Sequence, residues 1–271
     1  MRSFYITFKS PIVGVTINRQ GFTLVELSVV IGIITVVLAF TLPAIQEARE
    51  SARRVNCANH LRQIGIALNH YHSVMNAYPV GCVEWRGPNP ENRQLAWSAF
   101  LLPYIEQHGL FDNLNLQLPF DDPANAMAAK RSVQLYRCPS GKRRQGPGDR
   151  ALIDYGGIFG ERIVSPNNPP KGVMLIDQSV RNSEIVDGLS NTLIVAEDSK
   201  STDGEWINGN NIFDQAFAIN SGPDFENDIR SDHRLGANAC LCDGSVMFLS
   251  NSTDLKLLAS FCTKAEFEIH D

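Results

Sequence analysis

The chain has 271 residues, 44% of them hydrophobic and 20% charged, with a formal net charge of −5. These values exclude an intrinsically disordered or collagen-like polypeptide and suit one large domain or two small ones. The mildly acidic balance supplies no general attraction for a polyanion, so no nucleic-acid partner is expected.

Charge is spread unevenly. Residues 1–21 hold Arg2, Lys9 and Arg19 and no acid, which leaves the remainder at −8. Residues 22–42 are apolar apart from Thr23, Glu26, Ser28, Thr35 and Thr41, and as a helix they span about 30 Å, the thickness of a bilayer core. A secretory signal has a shorter apolar core ending in a small-x-small site, which Ala39-Phe40-Thr41 matches poorly. A plain anchor fits the length but leaves Glu26 without a role, since a carboxylate in lipid is costly unless it is paired or lies near the interface.

Beyond Pro43 the pattern becomes amphipathic, with Ile45, Ala48, Ala52, Val55, Leu61, Ile64, Leu68 and Tyr71 at three- and four-residue steps. The spacing predicts one helix over 22–72, about 75 Å long, with residues 43–72 continuing the apolar part. Glu47, Arg49, Glu50, Arg53, Arg54 and Arg62 make the other face, with Glu50 and Arg54 spaced to pair at i,i+4. That face is either solvated or a contact surface for neighbouring subunits.

Tyr78-Pro79-Val80-Gly81 ends the helix, and a head over 73–271 follows. Leu95–Gln107 reads as a short buried helix interrupted at Pro103. Asp122-Pro123 reads as an N-cap and first helical residue, starting a helix through Leu135. Lys171–Ile176 and Asn191–Ala196 read as strands. Ala239–Leu249 reads as a hairpin turning at Asp243-Gly244. Thr253–Cys262 reads as a short amphipathic helix. The fold class is α+β, a long N-terminal helix packed on an antiparallel sheet.

The segment Gly21-Phe22-Thr23-Leu24-Val25-Glu26-Leu27 resembles the type IV prepilin cleavage and methylation motif. The resemblance implies a leader at 1–21 and scission by a prepilin peptidase between Gly21 and Phe22. It also implies an N-methylated Phe22 and Glu26 as the carboxylate that aligns subunits during assembly. Opposite charges in apolar surroundings gain most by meeting. Pro43 stands where such subunits commonly carry a helix-kinking proline. The leader would be cytoplasmic, the helix a single pass in the inner membrane and the head periplasmic or otherwise extracytoplasmic. Lipid and like or related pilin-type subunits are the implied partners.

The resemblance extends along most of the chain, to a bacterial pilin-like, pseudopilin-related family of unknown function with a C-terminal His-x9-Asp-Gly pattern. It is carried by Pro43-Ala44-Ile45-Gln46, Cys57-Ala58-Asn59-His60-Leu61-Arg62-Gln63-Ile64-Gly65, Leu101-Leu102-Pro103-Tyr104-Ile105-Glu106-Gln107, Cys138-Pro139-Ser140 and Ile185-Val186-Asp187-Gly188-Leu189-Ser190-Asn191-Thr192. His233 with Asp243-Gly244-Ser245-Val246 completes it. It implies a non-enzymatic subunit of a surface filament or a type II secretion-like apparatus.

His233 and Asp243 admit a second reading, a membrane-tethered domain that binds or hydrolyses a ligand with this pair. Asp243 is already accounted for as a turn residue, and the pair with Gly244 reads first as structural. No nucleophile elbow, phosphate loop, H-E-x-x-H or G-x-G-x-x-G is present, and no catalytic residue, metal or cofactor is assigned. Asp224, Glu226 and Asp228 offer calcium a weaker alternative.

Six cysteines, Cys57, Cys82, Cys138, Cys240, Cys242 and Cys262, allow fifteen pairings. Zinc is the rival use of cysteine, but no C-x-x-C pair exists. Cys57 and Cys138 both fall in family-like motifs, and the resemblance makes that pair the first choice for a disulfide. Cys240 and Cys242, two apart on one strand, are not expected to bond each other.

Overall fold

The computed structural model describes residues 23–87, 89–142, 149–202, 204–223 and 226–265. The chain divides into two units, Met1–Glu47 and Ala48–Asp271, and helix α1, Leu24–Met75, begins in the first and ends in the second. It runs through Pro43 and matches the predicted helix to within a few residues at each end.

In the first unit α1 is apolar and uncovered. Leu24 is 84% exposed and Phe40 76%, and the most apolar window has a mean hydropathy of 2.5 with none of it buried. Its length and composition suffice to cross a membrane.

In the second unit α1 becomes a core helix, but only from Cys57 onward. Cys57, Leu61, Ile64, Gly65, Ala67 and Leu68 are buried, whereas Ala48, Ala52 and Val55 from the predicted apolar face are exposed. The periodicity was continuous, but within this unit burial begins only at Cys57. Gly65 permits a close approach: a Cβ there would stand 2.6 Å from Cys240 Sγ and 3.0 Å from Gly244 Cα.

The head is built on a five-stranded sheet in the order β5-β3-β4-β6-β7. The strands are β3 Tyr155–Glu161, β4 Leu193–Glu197, β5 Ile212–Gln215, β6 Gly236–Leu241 and β7 Val246–Ser250. All neighbouring pairs are antiparallel except β3 with β5, which is parallel. A separate two-stranded pair joins β1 Cys82–Val83 to β2 Leu95–Ala96.

Two cores form. Leu61, Ile64 and Leu68 of α1 share one with Trp97, Leu101, Tyr136, Tyr155, Val195, Trp206 and Cys240. Ile158, Leu193, Ala196, Phe213, Ala239 and Leu249 share the other with Leu258 and Cys262. β4 contributes to both, so the sheet is buried on two faces and its strand reads as a continuous apolar run rather than an alternating one.

Several predicted elements take another form. The helix at Leu95–Gln107 is a five-residue α2, Trp97–Leu101, followed by a 3-10 turn at Leu102–Ile105 that accommodates Pro103. A further short helix, α3, occupies His108–Phe111. The helix from Asp122 shrinks to α4, Ala126–Ala129, and a 3-10 turn at Gln134–Tyr136. Asp122 Oδ1 accepts from the Ala124 N–H, a local turn rather than a helix cap, and buried Asn125 donates to the carbonyls of Asn115 and Pro119. These bonds fold the segment back on itself.

Lys171–Ile176 is no strand; its amides at Gly172, Val173 and Met174 bond the carbonyls of Phe159 and Ile158 in buried bends, and only Ile176 makes an isolated bridge, to Cys82. The hairpin is present as β6 and β7, but its turn is Cys242-Asp243 followed by Gly244 at φ +84°, closed by the Gly244 N–H on the Leu241 carbonyl. Cys242 thus lies in the turn and not on the strand with Cys240. The last predicted helix is α5, Leu255–Phe261, capped by Asp254, which accepts from the Lys256 and Leu257 amides.

Candidate functional site

The start of α1 is organised by Thr23 and Glu26. The Thr23 N–H and hydroxyl both donate to Glu26 Oε2 at 2.9 Å, and the Glu26 N–H donates to Thr23 Oγ1 at 3.3 Å. This reciprocal arrangement, three residues apart, is a capping box. It turns the carboxylate back toward the helix N-terminus, where the partial positive charge of the first amides favours it. Gly21 and Phe22, the residues at the expected cut, lie outside the described residues. Scission there would leave a charged amine one residue before Thr23.

A second site lies in the head, assembled from five segments distant in sequence. Cys57 of α1 and Cys138, after the 3-10 turn, form a disulfide. The Cys138 amide donates to Asp154 Oδ2 at 2.8 Å, and the Tyr155 hydroxyl donates to the Cys57 carbonyl at 3.4 Å. His60, one turn further along α1, contacts the Arg137 carbonyl at 2.8 Å through Nδ1. The helix is thus tied to the 136–138 segment by covalent and polar links.

Against this disulfide packs His233, 3% exposed. Its Nδ1 donates to Glu50 Oε1 at 2.6 Å, and its Nε2 stands 3.3 Å from Glu197 Oε1 and 3.6 Å from Cys138 Sγ. Glu197, fully buried at the end of β4, also accepts from the Asn238 N–H at 2.8 Å and from Asn238 Nδ2 at 3.0 Å. Glu50 is partly exposed and accepts from Arg53 and from the Ser140 hydroxyl. Arg54 does not pair with Glu50 as its spacing predicts; its guanidinium lies 4.7 Å over the Phe248 ring.

Burial alone pulls the His233 pKa down, but hydrogen bonds and charge from Glu197 and Glu50 outweigh it and raise the value above the ordinary 6.5. Burial likewise pushes Glu50 up, and His233 with Arg53 overcomes it, leaving the carboxyl below the ordinary 4.5. By linkage, the histidine's stabilising contribution is complete below pH 6.5 and fades as pH rises through its higher folded value. The Glu50 contribution is complete above pH 4.5 and fades as pH falls through its lower folded value. We therefore expect the stability advantage of the oxidised, metal-free wild type over His233→Gln to peak between these limits and shrink on both sides. Melting temperatures across pH check this, and a flat difference contradicts it.

The structure does not bring His233 and Asp243 together. Asp243 accepts from the Ser245 N–H and hydroxyl within its turn, and the carboxylates at His233 are Glu50 and Glu197. Gly244 supplies the positive φ of that turn. Of the acids suggested for calcium, Glu226 pairs with Arg162 and Asp228 accepts from the Ala216 amide, while Asp224 lies outside the described residues. Cys82, Cys240, Cys242 and Cys262 are buried free thiols, and burial pushes Cys82 and Cys240 up to about 12.

Sequence reasoning missed Glu197 and the role of Glu50. The one available signal was an acid closing the apolar run Leu193-Ile194-Val195-Ala196, since a charge at the end of a buried strand needs a partner.

Residues 17–42 match the prokaryotic N-terminal methylation motif. That motif, at the start of an uncovered apolar helix, defines a pilin- or pseudopilin-like subunit of the prepilin-processed class. Residues 46–212 and 201–256 match the family described as a protein of unknown function, DUF1559. The chain belongs to this family, which is typical of type IV pilin-like proteins. No curated protein and no solved structure matches it significantly. The motif and the apolar helix agree with a single-pass inner-membrane protein.

Proposed function

We propose that the chain is a non-enzymatic structural subunit that leaves the bilayer to enter a filament or a type II secretion-like apparatus. Prepilin peptidase cuts after Gly21, the Phe22 amine is methylated, and residues 22–42 rest in lipid with the head outside the cytoplasm. Assembly exchanges lipid for the apolar helices of like or related subunits. Glu26 of one helix then meets the Phe22 amine of a neighbour, a pairing worth most in a low-dielectric bundle. Nucleic acid has no part in this reading.

The observation that carries it is the first part of α1, a fully uncovered apolar helix whose only charged group among residues 23–42 is Glu26, at its first turn. A membrane anchor needs no such carboxylate. Glu26→Ala should leave membrane insertion intact and reduce cross-linked oligomers in native membranes more than about tenfold, the equivalent of about 1.4 kcal/mol per contact. Oligomers at the wild-type level in Glu26→Ala would overturn the proposal.

A further inference from the structure

Among the described residues, four metal-binding side chains converge at one point of the head: Cys57, Cys138, His233 and Glu197. One ligand atom from each lies within 4.8 Å of all the others, and all four residues are buried. We propose that this cluster is a zinc site in the reduced chain, filled when the disulfide is open.

The distances fit the metal. Zinc in a tetrahedral site takes sulfur at about 2.3 Å and nitrogen or oxygen at about 2.0–2.2 Å, which sets the edges of the tetrahedron at about 3.6 Å from sulfur to nitrogen or oxygen and about 3.4 Å from nitrogen to oxygen. The corresponding separations are 3.6 Å for Cys138 Sγ to His233 Nε2, 3.7 Å for Cys138 Sγ to Glu197 Oε1 and 3.3 Å for His233 Nε2 to Glu197 Oε1. Parting the two sulfurs to about 3.8 Å completes the donor set.

The surroundings fit as well. His233 donates from Nδ1 to Glu50 at 2.6 Å, which leaves Nε2 facing the sulfurs; a carboxylate behind a histidine is the usual support for a metal-bound imidazole. Asn238 holds Glu197 from the other side. A disulfide is neutral and needs neither an acid nor an imidazole beside it. Burying both groups costs desolvation, which a divalent cation between them would offset. Two sulfurs, one nitrogen and one oxygen select zinc over calcium or magnesium, which prefer oxygen alone. Four protein donors leave no open position, so the site is structural.

The exchange balances. A dithiol reductant delivers two electrons and two protons to the Cys57–Cys138 bond and leaves as its own disulfide. Zinc then displaces the two thiol protons and forms two sulfur–zinc bonds. Reoxidation by a disulfide oxidant restores the sulfur–sulfur bond and ejects the cation. In either state α1 stays fastened to the head, so a chain not yet oxidised has a second way to hold the same geometry.

The test uses the full-length chain in detergent, reduced with a phosphine without oxygen, offered zinc or cobalt(II) and passed over a chelating column. The expected result is one zinc per reduced chain and none per oxidised chain. X-ray absorption should show two sulfur and two nitrogen or oxygen neighbours, and cobalt should give tetrahedral visible bands with thiolate charge transfer. Cys57→Ser/Cys138→Ser and His233→Gln should lose the metal, and Glu50→Gln should bind about 10–100-fold more weakly with the same sulfur signal. If the reduced chain melts early, zinc should raise its melting temperature. Failure of the reduced chain to retain or be stabilised by zinc would overturn the proposal, as would zinc with no sulfur neighbour or undiminished binding in the double serine variant.

Discussion

Glu197→Ala should lower the unfolding free energy of the oxidised chain by about 3–5 kcal/mol, the cost of breaking a buried charge pair from one side. Glu197 is fully buried on the sheet, between β3 and β6, which both pair with β4. Its removal strips the Asn238 amide and Nδ2 of their acceptor and takes one of two carboxylates from His233. Asn238 and His233 are each 3% exposed, so each lost bond is felt near its desolvation cost. Glu197→Gln keeps the shape and one acceptor oxygen and should lose less. Denaturant unfolding of both variants checks the ranking; a loss below about 1 kcal/mol in Glu197→Ala would mean that the cluster is solvated in solution.

The second large effect is at the disulfide. Cys57 and Cys138 are separated by 81 residues, and closing a loop of that length restricts the unfolded chain by about 4.5 kcal/mol in the chain-entropy account. Cys57→Ser should therefore melt well below the oxidised wild type and, with a chelator present, alongside the reduced wild type. The fold itself should survive, because Leu61, Ile64 and Leu68 keep α1 in the core without the bond. A reductant that leaves the wild-type melting temperature unchanged would contradict this.

Both effects concern residues that sequence reading reached unequally. The long helix was legible because its two halves carry different, strong patterns: an unbroken apolar run, then a three-and-four repeat. The β6–β7 hairpin was legible from Asp-Gly at a turn and α5 from the amphipathic spacing of Leu255, Leu258, Ala259 and Cys262. β3 was not legible. Its sequence, Tyr-Gly-Gly-Ile-Phe-Gly-Glu, interrupts its strand formers with glycines, which are depleted in strands, yet Gly156 and Gly157 are required, because a Cβ at Gly156 would meet Phe213 at 2.5 Å and one at Gly157 would meet Met174 at 2.9 Å. Its parallel partner β5 has only four residues, too few for a period to declare itself. Lys171–Ile176 erred the other way: an apolar run announces burial, and burial alone does not choose between a strand and a bend.

The two candidate sites divide along the same line. Glu26 stood out because one charge in an apolar helix is conspicuous without any partner in view. His233 stood out too, but its partners did not, since Glu50 and Cys57 of α1, Cys138 and Glu197 come from three other segments that no spacing links to it. Asp243 is near in sequence and was the natural suggestion, and the turn claims it instead. Tertiary convergence of this kind leaves no trace in a single sequence beyond isolated polar residues in apolar surroundings.

Prepilin-type processing is the central claim, and the most direct measurement is mass spectrometry of the N-terminal peptide from protein purified out of its native membrane. A chain beginning at N-methylated Phe22 is the predicted result. A chain still beginning at Met1, or one beginning near Ala44, would contradict it.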